Sequence, residues 1–179
     1  MRRVSKRALK DDSRVSHLTP EERRKKLFER AAKLLAAKSR SVAELRERLL
    51  EGRHATESLV AEVIDRLREY GYLDDERFAV TFASSKVRQK PTGRRRLERD
   101  LQLKKVDRAV VDQALDAVYA ETSEEELIDR AIEKRLRLRG RPKNRDEAKS
   151  LFDHLLRQGF PFDLVSDKVR AASRTDLDE

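Results

Sequence analysis

The chain has 179 residues, of which 37% are hydrophobic, 43% charged and 5% aromatic, and its formal net charge is +9. An apolar share below the usual ~45–50% cannot build one large round core, so the apolar residues must run in narrow stripes. Cysteine is absent and no run of about 18 apolar residues occurs, which excludes disulfides, thiolate metal sites and a membrane-spanning helix.

Residues 1–18 carry charge without an apolar stripe, so they read as a basic disordered tail and not as a secretory signal. The expected location is the cytoplasm. Thr19-Pro20-Glu21-Glu22 then sets an N-cap, a first-turn proline and acidic residues at the start of a helix over 20–38. Ser41 with Glu44 starts a helix over 42–52, and Thr56 starts one over 57–70. Asp74 precedes a helix over 75–90, a fifth spans 94–104, and Asp107 caps 108–120. Ser123 with Glu126 and Asn144 with Glu147 have capping-box spacing for helices over 123–138 and 145–158, and the last covers 161–173. Gly52, Gly71 and Gly159 stand where left-handed residues end helices. Alternating β-branched residues are missing, so the expectation is all-α with no sheet.

These helices repeat. Leu45, Leu49, Leu59 and Val63 recur 52 residues later as Leu97, Leu101, Val111 and Leu115, then again as Leu151, Leu155, Val165 and Val169. The helix before each pair repeats more loosely, as Leu27/Ala31, Phe78/Phe82 and Leu127/Ala131. The expected organisation is three tandem three-helix repeats, over 19–71, 72–121 and 122–173, with an acidic tail over 174–179. Units of ~50 residues are marginal alone and gain stability by stacking, which predicts an elongated, curved array.

The positive charge is clustered. Residues 86–105 hold nine basic and two acidic residues, and residues 130–145 hold eight basic and one acidic, so the chain outside these clusters and the N-terminal tail is net negative. Arg95 and Arg99 share an exposed face with Gln102, while Leu97 and Leu101 face the core. In the 123–138 helix, Leu127, Ile128, Ala131, Ile132 and Leu136 form the buried stripe, and Arg130, Lys134 and Arg137 a ridge continued by Arg139, Arg141 and Lys143. The candidate contact residues are Arg94, Arg95, Arg99, Lys104 and Lys105 in the first cluster, and Arg130, Lys134, Arg137, Arg139 and Arg141 in the second. The guanidinium fork grips phosphate or carboxylate bidentately, so nucleic acid or an acidic protein surface is the partner chemistry.

Catalytic signatures are missing. There is no Gly-x4-Gly-Lys phosphate loop, and His17, His54 and His154 lack metal-ligand spacing. Adjacent carboxylates such as Asp74-Asp75 point to different helix faces and read as caps. A binding protein is expected, without enzyme activity, metal or cofactor.

The stretch Gly71-Tyr72-Leu73-Asp74-Asp75-Glu76-Arg77-Phe78-Ala79 resembles the hallmark of the RecX family of recombinase regulators. Ser41-x2-Glu44-Leu45-x3-Leu49 and Leu155-Leu156-Arg157-Gln158-Gly159-Phe160 are similar to its repeat pattern. The resemblance covers roughly residues 25–173. It implies three tandem three-helix repeats in a monomer that binds within the groove of the RecA–DNA filament. It further implies inhibition of RecA strand exchange, ATP hydrolysis and co-protease activity, and so regulation of DNA repair, recombination and the SOS response. Single- or double-stranded DNA is a second candidate partner, and the alternative function is a nucleic-acid-binding module of helix-turn-helix-like units. Within the hallmark, Gly71, Leu73, Asp74, Asp75, Phe78 and Ala79 read as architecture: a helix end, a cap, first-turn acids and core residues. One departure is that Gly-Phe stands inside only the third helix pair, whereas the first two have Arg53-His54 and Lys105-Val106, so those turns are expected to differ.

Overall fold

A computed structural model describes residues 18–53 and 55–174; most of the expected N-terminal tail, His17, His54 and residues 175–179 lie outside the described residues. Among the described residues the chain is all-helical: α1 (Pro20–Ala37), α2 (Val42–Leu50), α3 (Glu57–Glu69), α4 (Asp75–Gln89), α5 (Arg94–Leu103), α6 (Arg108–Glu121), α7 (Glu124–Arg139), α8 (Arg145–Arg157) and α9 (Phe162–Arg174). They form three tandem three-helix repeats. The starts follow local chemistry. Thr19 completes a capping box with Glu22, and Ser41, Thr56, Asp107, Ser123 and Asn144 each accept a backbone N–H from the first turn of the helix they precede. At Asn144 the returning carboxylate of Glu147 accepts from the Lys143 N–H instead, at 2.8 Å.

The chain divides into two compact units, the first ending at Asp74 and the second beginning at Asp75. In the first unit, α1–α3 close on a core that includes Leu27, Ala31, Leu45, Leu49, Val63 and Leu67. Leu59, expected in the stripe, is only half-buried, because the buried face of α3 runs through Val60, Val63, Ile64 and Leu67 and leaves Leu59 at its edge. Gly52 also departs from expectation. It is not left-handed. Its role is space: a Cβ there would collide with the guanidinium of Arg30, which reaches over to donate to the Arg48 carbonyl at 2.9 Å.

In the second unit, α4–α9 share one core. Phe78, Ala83, Leu97, Leu101, Leu115, Leu127, Ile128, Leu155, Phe160 and Val165 all belong to it, so the second and third repeats are joined through their interiors. Two glycines make the approach possible. Gly93, N-cap of α5, has no side chain to cap the helix. In its place the carbonyls of the third repeat take the free N–H groups: Gly93 donates to the Gln158 carbonyl at 2.9 Å and Arg95 to the Gly159 carbonyl at 3.3 Å. A Cβ on Gly93 would strike the Gly159 and Phe160 backbone, and one on Gly159 would strike the backbone of Arg96.

The turns correct one further expectation. After α8, Gly159 is left-handed (φ 93°), donating to the Leu156 carbonyl at 2.9 Å while Phe160 donates to that of Leu155 at 3.4 Å. Lys105 takes the same left-handed position without being glycine (φ 56°). It donates to the Gln102 carbonyl at 2.8 Å, and Val106 donates to that of Leu101 at 3.4 Å. The second turn therefore matches the third despite its different residues, because burial of Val106 fixes the backbone path against the local cost at Lys105. The first turn does differ, with αR Glu51 and a Gly52 that keeps negative φ.

Candidate functional site

The basic residues of α5 and α7 lie in the second unit, and the fold uses them unequally. Arg94 is half-buried: its N–H donates to Glu124 Oε1 at 2.7 Å, and its guanidinium pairs with Asp116 at 2.7 Å. That residue ties the start of α5 to α6 and α7. Arg95 and Arg99 are exposed, with Arg99 Nε donating to the Arg95 carbonyl at 3.3 Å. Lys104 is half-buried at the end of α5, and Lys105 is exposed in the strained turn.

On α7, Leu127, Ile128, Ala131 and Ile132 are buried, whereas Leu136 is half-buried against the core. Arg130, Lys134 and Arg137 are exposed, and Arg137 pairs with Glu133 one turn back at 3.1 Å. Arg139 and Arg141 are exposed around Gly140, whose φ of 77° ends the helix. Arg139 parts from the ridge: with Arg135 it lines a concavity against Ser150 and Leu151 of α8.

The sequence alone does not group Arg135 with His154, since only packing of α7 on α8 joins them. Arg135 NH2 reaches Ser150 Oγ at 3.3 Å, and burial, with Arg139 and Arg157, holds its guanidinium below the ordinary arginine value. Burial, then Arg135, Lys90, Arg157 and Arg139, pushes the His154 imidazole below its ordinary value, so it is the neutral form that faces these cations at pH 7. In the first unit, Phe28, Tyr70 and Tyr72 form an aromatic chain by edge contacts at 6.5 and 6.2 Å, with Arg66 over the Tyr70 ring at 5.6 Å. The distance between Phe28 and Tyr70 in sequence hid that grouping. Among the described residues no group of three His, Asp or Glu could hold a metal, and no helix is long and apolar enough to cross a membrane.

Residues 74–115, spanning α4 to α6, match the family model of the RecX second three-helix domain. The "Regulatory protein RecX" of Mycolicibacterium vanbaalenii is 35% identical over 147 residues, covering 78% of each chain. That of Chlorobium limicola is 32% identical over 146 residues, covering 81% of this chain and 88% of its own. The chain belongs to the RecX family. It spans about half the length of some relatives: the Bacillus licheniformis "Regulatory protein RecX", 30% identical over 142 residues, is covered over 53% of its length. The crystal structure of RecX from Lactobacillus salivarius has the same fold, with a TM-score of 0.72 at 19% identity, over 83% of this chain and 96% of that one.

The RecX hallmark is built into the architecture at the boundary between the two units. Gly71 is left-handed (φ 69°) at the end of α3, and its neighbour Tyr72 donates back to the Leu67 carbonyl at 2.9 Å. Leu73, Phe78 and Ala79 are buried, Asp74 is exposed and Asp75 half-buried, and Phe78 stacks on Phe82 at 5.9 Å.

Proposed function

We propose that this RecX-family chain regulates the RecA recombinase by binding the RecA–DNA filament, without catalysis of its own. In this reading it inhibits strand exchange, ATP hydrolysis and co-protease activity, and thereby regulates recombination and DNA repair. Family membership supports the recombinase as partner. The observation that carries the contact surface is the exposed ridge of Arg130, Lys134 and Arg137 on a helix whose opposite face is buried. Arg95, Arg99, Arg139 and Arg141, all exposed, extend the same chemistry. Binding alters the filament to the extent that one filament state is bound more tightly than another. The alternative, a module that binds nucleic acid alone, draws on the same cations. A pull-down comparing RecA–DNA filament with bare DNA separates the two, with preferential capture by the filament expected. In parallel, purified protein should lower the ATPase rate of DNA-bound RecA and should hydrolyse no ATP itself. Turnover of ATP by the chain alone, or equal capture by bare DNA, would overturn this reading.

A further inference from the structure

The end of α4, the middle of α7 and the end of α8 enclose an open cavity of about 210 Å³ in the second unit. Lys90, Lys134, Arg135 and His154 stand on its wall. Arg139 and Arg157 are near enough to act on the His154 ring. Among the described residues, none of these lysines and arginines takes part in an ion pair, and Arg135 has a single polar partner, the hydroxyl of Ser150. The contrast within the same unit is sharp: Arg94 is neutralised by Asp116 and Lys168 by Asp129. Like charges held together without a counter-charge raise one another's free energy, and a bound anion relieves that cost.

Gln158 closes the cavity on one side and is only 4% exposed. The wall offers a guanidinium fork, ammonium groups and an imidazole N–H, which are donors suited to phosphate oxygens. At the rim, Pro91 and the exposed Leu138 supply apolar surface on which a sugar can rest. We propose that this cavity binds a backbone phosphodiester of a nucleic-acid strand. The inference does not depend on the recombinase reading, because a strand would bind with no other protein present.

His154 adds a pH signature. Its surroundings are Lys90 beyond α4, Arg135 and Arg139 on α7, and Arg157 on its own helix, all cationic. A phosphodiester brings the opposite charge, so binding favours the protonated ring and tightens as pH falls from about 7.5 to 6. The test is fluorescence anisotropy of a labelled single-stranded oligonucleotide with the full chain. Lys90→Gln combined with Arg135→Gln should weaken binding roughly tenfold, the order expected for lost charge-assisted hydrogen bonds, with helicity by circular dichroism retained. His154→Gln should abolish the pH dependence. In the wild type, the His154 ring followed by NMR, assigned through the same variant, should titrate at higher pH when the oligonucleotide is present. Unchanged affinity of the double variant, or an unmoved His154 midpoint, would overturn the site. If inorganic phosphate at equal phosphate concentration shifts the ring as far as the oligonucleotide does, the cavity holds a free anion and the strand assignment fails.

Discussion

The first unit and the second handle the same small building block in opposite ways. In the first, one three-helix repeat closes on its own core, and three of its arginines are paired, Arg24 with Glu62, Arg46 with Glu57 and Arg48 with Glu51. In the second, two repeats merge into one core through Gly93 and Gly159, and several cations stay unpaired around a cavity. A repeat of ~50 residues has little interior to spare. Merging two of them supplies the stability against which a like-charge cluster can be held, and a lone repeat has none to give up.

Core truncation gives the largest contrast. Leu45→Ala and Leu97→Ala occupy equivalent repeat positions, both fully buried, and each should cost roughly 2–5 kcal/mol. Hydrogen exchange by mass spectrometry should show Leu97→Ala exposing α8 and α9 of the neighbouring repeat, while Leu45→Ala leaves α4–α9 protected. Loss of protection throughout the chain from both variants would mean the units do not unfold separately.

The glycines sharpen the comparison at smaller cost. Gly93→Ala forces a methyl group against backbone and should destabilise by about 1–3 kcal/mol in a urea titration. Gly52→Ala strikes the end of the flexible Arg30 side chain and meets backbone only at the Leu49 carbonyl oxygen, 3.0 Å away, so it should cost less than Gly93→Ala, about 1 kcal/mol. Equal losses would remove the special role assigned to repeat docking. Lys105→Gly relieves a left-handed lysine and should raise the melting temperature of the second unit, by up to about 1 kcal/mol in stability.

The smallest effect is with pH. The native His154 value is depressed, so the unfolded chain takes up the proton first as pH falls. The contribution is therefore fully present above about pH 6.5, the unfolded value, and is lost progressively as pH drops below it towards the lower native value. His154→Gln should remove that slope from the second unit. A slope unchanged in the variant would assign it to other groups.

Much of this fold was legible in the sequence because its signals are local. Thr19, Ser41, Ser123 and Asn144 mark helix starts within a turn of chain, and Leu97, Leu101, Val111 and Leu115 repeat at fixed spacing. Lys105 misled, since residue type argues against a left-handed turn and only the burial of Val106 enforces it. The Gly93–Gly159 contact joins residues of different repeats, and neither glycine announces the other. The same holds for the site. The exposed ridge of Arg130, Lys134 and Arg137 followed from helical period, but the internal use of Arg94 did not. Nor did the grouping of Lys90, Arg135 and His154. Those depend on tertiary packing of α4, α7 and α8.

The proposed contact of the α7 ridge with the RecA–DNA filament is tested most directly by filament ATPase inhibition with the Arg130→Glu, Lys134→Glu, Arg137→Glu triple variant across a salt series. The buried Leu127, Ile128 and Ile132 are untouched, so circular dichroism should show unchanged helicity. Inhibition should fall strongly, and its dependence on salt should flatten as the charge contributing to it is reversed. A variant that folds normally and still inhibits as the wild type does, with the same salt dependence, would contradict the account and leave the ridge as a solvated face.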